Sequence, residues 1–90
     1  MKHTRKEVYD ALDSEREYQI KETEKPQRVD MIEDFDMGKG MLAIKAIFDQ
    51  ATQSWYKDHP DYEKTMPYLR KIAGICVNMG EKYGMPKREE

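Results

Sequence analysis

The chain has 90 residues, is 38% hydrophobic and 38% charged, contains four Pro and five Gly, and carries a formal net charge of −2. That profile suits one solvated helical domain spanning 1–90 and excludes both a disordered chain and a second domain. No block of Lys and Arg is long enough to track a phosphate backbone, which excludes general nucleic-acid binding, and no apolar run approaches the roughly 18 residues of a membrane span.

Charge is unevenly placed. Residues 1–36 carry seven basic and eleven acidic side chains, whereas residues 37–90 carry nine and seven, so the second part suits a small anion better. Cys76 is the lone cysteine and has no intrachain partner. No charged leader with a cleavage site opens the chain, and a cytoplasmic protein is expected.

Thr4-Arg5-Lys6-Glu7 reads as a capping box that starts a first helix near 5–22. Its inward face runs through Val8, Ala11 and Leu12 and then turns polar at Glu15 and Gln19, flanked by Arg16 and Tyr18. A carboxylate and an amide aimed at a core need partners or a ligand. Either the helix splays there and Glu15 meets water, or the polar pair lines a pocket. Pro26 then enforces a loop that carries Lys25 and Arg28, and Arg28 could return beside Glu15 and Arg16 to meet a phosphate. Asp30, Glu33, Asp34 and Asp36 crowd the next turn, either as a solvated acidic stretch or as part of a hard-cation site.

A second helix is predicted near 37–57, with Asp36 as its N-cap. Met37, Met41, Ile44, Phe48, Ala51 and Trp55 recur at spacings of four, three, four, three and four, forming an apolar seam around which the chain is expected to organise. Leu42, Ala46 and Ile47 lie off that seam and imply a second packing partner, and Lys45 borders it. The third helix is predicted near 67–83, capped by Thr65 with Pro67 in its first turn and closed at Gly84. Ile72 through Met79 is apolar almost all round, so this helix should be the most buried, interrupted by Asn78 as a hydrogen-bonding residue or a ligand contact. The expected fold is an all-α, three-helix antiparallel bundle, completed by homo-oligomerisation because so short a chain buries little surface. Its expected core is Val8, Leu12, Met41, Ile44, Phe48, Trp55, Leu69, Ile72, Cys76 and Met79.

No nucleophile, base and orienter arrangement is legible. His3 and His59 lie in a terminus and a loop, and Cys76 sits among Ile75, Val77 and Met79 as an inert thiol. Zinc lacks ligands, and no cofactor or metal set is assigned.

The run Glu15-Arg16-Glu17-Tyr18-Gln19, the apolar helix ending in Trp55, Leu69-Arg70-Lys71-Ile72-Ala73-Gly74-Ile75 and the closing Gly80 to Arg88 resemble small phage proteins. Those in turn are distantly similar to the all-α MazG-like nucleotide pyrophosphohydrolases. MazG-like enzymes hold magnesium with two acids, two spacers and a third acid on one helix and an acidic pair on the next. Here Glu33 and Asp34 resemble the first pair, but Met37 stands at the third position, and Tyr68 and Lys71 stand where the second pair belongs. The resemblance therefore implies the scaffold without its metal chemistry, and an enzyme is not expected.

A scaffold of that kind without its acids reads as a non-enzymatic nucleotide-binding protein. For a phage protein in the host cytoplasm, that means a sponge sequestering a nucleotide-derived immune signal of the cyclic nucleotide or cyclic ADP-ribose type. Such a ligand needs cations for phosphate, an aromatic for the base and an amide or carboxylate for polar edges. Glu15, Arg16, Tyr18 and Gln19 supply these on one helix, and Arg28, Arg70, Lys71 and Asn78 could converge from elsewhere. The alternative is a protein-binding inhibitor of a host enzyme that uses an acidic and apolar face, and a residual MazG-like pyrophosphohydrolase ranks third.

Overall fold

The computed structural model describes residues 2–23 and 36–89. It contains three helices, α1 (Arg5–Thr23), α2 (Met37–Asp58) and α3 (Tyr62–Tyr83), with no strand among the described residues. The fold is an all-α three-helix bundle. α2 and α3 form an antiparallel hairpin across a three-residue turn, and α1 lies against α3 while scarcely meeting α2. The organising element is thus α3, contrary to the expectation placed on α2.

Capping explains where the helices start. The Thr4 hydroxyl accepts from the Glu7 amide at 3.1 Å, and the Glu7 carboxylate accepts from the Thr4 amide at 3.2 Å. Asp36 caps α2 by accepting from the Lys39 amide at 2.7 Å. α3 begins five residues earlier than Pro67 suggested, because Asp61 accepts from the Lys64 amide at 3.3 Å and so replaces Thr65 as the cap. Pro67 therefore lies inside α3, where it forgoes the bond its position would make to the Glu63 carbonyl. Around the turn, the Trp55 ring meets His59 edge-on at 4.3 Å and Tyr62 at 5.3 Å, and Lys64 reaches Asp58 at 3.6 Å. α3 ends at Gly84, whose φ of 87° suits glycine and lets its amide donate to the Gly80 carbonyl at 2.8 Å.

Burial is sparse. Among the described residues, Ala51 and Ile75 are the buried apolar side chains, beside Gly40 and Gly74. Of the expected core, Leu12, Ile44, Trp55, Ile72, Cys76 and Met79 are half-buried, whereas Val8, Met41, Phe48 and Leu69 are exposed. Small residues decide the α2 case. Gly40 and Ala51 are its buried residues, and the packed face runs Gly40, Ile44, Ile47, Ala51 and Trp55. That face is turned about 40° from the predicted seam at 100° per residue. At Gly40 a Cβ would stand 2.6 Å from the Met79 sulfur, so the thioether occupies the space a side chain would take.

Candidate functional site

Two features meet where α1 crosses α3: a buried polar network and an apolar groove beside it. The crossing point is Gly74. A Cβ there would come within 2.6 Å of Gln19 Nε2 and 2.7 Å of Glu15 Cγ, so the two polar side chains lie directly over the glycine. Both are 5% exposed. The alternative that α1 splays and Glu15 meets water therefore does not hold.

Burying that carboxylate requires partners, and α3 supplies them. Arg70 Nε donates to Glu15 Oε1 at 2.8 Å, while Gln19 Nε2 donates to Glu15 Oε2 at 3.2 Å and to the Lys71 carbonyl at 3.4 Å. Gln19 Oε1 is buried with no hydrogen-bond partner among the described residues. A turn further on, Arg16 grips Glu81 with two parallel bonds, from Nε at 3.0 Å and Nη2 at 2.9 Å, and also donates to Asn78 Oδ1 at 3.3 Å. Planar guanidinium and carboxylate groups match in this two-point geometry. Asn78 is thus a buried interhelical hydrogen-bonding residue. Glu22 is buried as well, continuing the line of Glu15 and Gln19.

The Arg16 guanidinium holds the Glu81 carboxyl below its ordinary value of 4.5, chiefly through these hydrogen bonds. A carboxyl whose pKa falls on folding stabilises the fold above its unfolded value, and loses that contribution as pH drops through the folded value. The urea midpoint of the wild type should therefore fall as pH is lowered through and below 4.5. Part of that slope should vanish in Glu81→Gln, and an identical profile in the two proteins would show that the pair does not form in solution. Arg16→Ala should itself lose about 1 to 2 kcal/mol, since its charged hydrogen bonds join α1 to α3.

The groove runs along the other half of the same junction and has a volume of about 660 Å³. Val8 and Leu12 of α1 face Met66, Leu69 and Ala73 of α3 across it, with His3, Glu7, Glu63 and Arg70 as its polar groups. Glu7 is held below the usual carboxylate value by the Thr4 amide and hydroxyl and is therefore ionised at neutral pH. Arg70 joins both features, since its Nε is tied to Glu15 while its side chain, 43% exposed, borders the groove. Its terminal amino groups make no bond among the described residues.

Of the residues proposed from sequence, Glu15, Arg16, Gln19, Arg70 and Asn78 come together, but mainly as partners of one another. Lys71 contributes its backbone carbonyl, and its ammonium lies 5.7 Å from the Tyr68 ring centroid. Tyr18 is exposed. Arg28, Asp30, Glu33 and Asp34 lie outside the described residues, and Asp36 is occupied as a helix cap. No group of three His, Cys, Asp or Glu side chains among the described residues is placed to hold a metal ion. Glu81 was not foreseen, although Gly74, Asn78 and Glu81 share a helix face at spacings of four and three. No helix among the described residues is long and apolar enough to cross a membrane. No protein family, no curated protein and no solved structure matches the chain.

Proposed function

We propose that the protein is a non-catalytic interaction module whose α1–α3 groove receives an amphipathic helix of a partner protein. The observation that carries this is the groove itself, an apolar trough between two helices with its charges around it. Docked helices place residues spaced three and four apart into grooves of this kind. Glu7 and Glu63 suit basic residues on the partner, and Arg70 suits an acidic one. In the phage setting that the sequence resembles, the partner is a host enzyme and the protein its inhibitor.

A nucleotide-derived ligand is the second reading, favoured by the amino ends of Arg70, which make no bond among the described residues, at the edge of a cavity within the roughly 300 to 1,000 Å³ range of small-molecule sites. Against it stand Arg16, engaged by Glu81, and the two carboxylates bordering the groove, which repel additional phosphates. In this reading the protein is a sponge for a cyclic nucleotide signal.

One pair of experiments separates them. Ala73→Arg fills the groove, and it should abolish cross-linked capture of a defined host protein that the wild type retains. In a thermal-shift screen of cyclic and linear nucleotides, a ligand at 100 times its dissociation constant adds about 2.7 kcal/mol. A shift of that size that disappears in Arg70→Ala would replace the helix reading with the nucleotide one.

A further inference from the structure

The charges of the α1–α3 groove are ordered along its length. Glu63 and Arg70 stand seven positions apart on α3, which puts them on nearly one helix face and about 10 Å apart along the axis. On the opposite wall, Glu7 lies eight positions before Glu15, about 12 Å back along α1, and Glu15 is the residue to which Arg70 is bonded at 2.8 Å. Measured from that bond, both acids lie toward the starts of their helices, one on each wall. Val8 and Leu12 face Met66 and Leu69 in the space between. The trough is thus anionic at one end, apolar in the middle and cationic at the other.

We infer that the partner helix carries an acidic residue followed, seven positions later, by a basic one, and that it docks antiparallel to α3. The inference rests on the helix reading above and adds the partner's charge order and direction. The acid meets Arg70. Its guanidinium is held at Nε by Glu15, so the terminal amino groups, which make no bond among the described residues, are oriented before the partner arrives. The base enters between Glu7 and Glu63, and the cap contacts with Thr4 keep Glu7 ionised and in place. Seven positions make two helical turns, so acid and base share one face, and apolar residues at the third and fourth positions after the acid fill the middle.

A base-first helix lying parallel to α3 would match the same charges, but two effects disfavour it. An acid near the start of a helix and a base near its end stabilise that helix through its dipole. The antiparallel direction also sets the partner's carbonyl end beside the amide ends of α1 and α3, whereas the parallel one sets like ends together.

Two synthetic peptides of one composition test this by fluorescence anisotropy, an acid-first helix with the pattern Glu-x-x-Leu-Leu-x-x-Lys and the same residues in reverse order. The wild type should bind the acid-first peptide about tenfold more tightly, because the reversed one brings like charges together. Glu63→Lys should remove most of that preference. It alters only the protein, and so separates recognition from the peptide's own helicity. Replacing the peptide's Glu by Gln should weaken binding to the wild type about tenfold, a comparison that needs no altered protein. Ala73→Arg should abolish binding of either peptide. Equal affinities, a preference that Glu63→Lys leaves unchanged, or a Gln peptide that binds as well as its parent overturns the inference while the groove remains a helix site. No binding of either peptide, or binding that Ala73→Arg leaves intact, overturns the helix reading itself and the inference with it.

Discussion

Gly74→Ala should destabilise the fold by about 2 to 4 kcal/mol, although alanine is the better helix former by about 1 kcal/mol. The new methyl group would need the space now held by Gln19 Nε2 and Glu15 Cγ, both closer than 3 Å to its ideal position. Neither side chain can retreat freely. Glu15 is bonded to Arg70 and Gln19, and Gln19 to the Lys71 carbonyl, so withdrawal leaves buried polar atoms without partners. A domain of this length holds only about 5 to 13 kcal/mol in total, so the loss should be plain in a urea titration. A gain of stability in Gly74→Ala would mean that α1 does not cross α3 at this residue.

Arg70→Met should cost about 2 to 3 kcal/mol. Removing one member of a buried ion pair costs about 3 to 5 kcal/mol, and the exposure of the guanidinium moderates that figure here. The penalty belongs to Glu15, which stays 95% buried without its cation. Replacing both residues should therefore be milder than the single change suggests, and Glu15→Met with Arg70→Met should recover at least about 1 kcal/mol relative to Arg70→Met alone. Equilibrium unfolding of the two single variants and the double variant measures that coupling. A cost under about 0.5 kcal/mol for Arg70→Met would show that the guanidinium is not anchored, and would remove the fixed cation on which the nucleotide reading depends.

These two expectations share a cause. The α1–α3 junction is built from polar groups over a glycine, so its stability depends on geometry more than on buried area. Charged groups shielded from water gain strongly from correct pairing and lose as much from its absence. The same property makes the junction a poor site for a second anion, since Arg16 already meets a carboxylate along its Nε–Nη2 edge.

Local chemistry was enough for much of the fold. The Thr4 and Glu7 capping box, Asp36 ahead of α2 and Gly84 after α3 act within one helical turn, so their roles are legible in residues three or four apart. Helical periodicity likewise marked Glu15 and Gln19 as inward-facing polar groups. Pro67 misled because proline is tolerated in a first turn, while Asp61 offered a cap that starts the helix earlier.

Which apolar face of α2 is covered could not be read from periodicity, because Met37, Met41 and Phe48 fit a core stripe around Ile44, Ala51 and Trp55 as well as Gly40 and Ile47 do. Local pattern in the chain was enough for three helices and for the caps of α1 and α2, and it placed Glu15 on the inward side of α1 without deciding between a splayed helix and a pocket. Only the tertiary structure decided that α3 is central, that Glu15 is neutralised by Arg70, and that Arg16 meets Glu81 across 65 positions of chain. Caps and periodicity are set by neighbours in sequence, whereas helix rotation and ion pairing are set by how closely two backbones approach, and Gly40 and Gly74 govern that approach here.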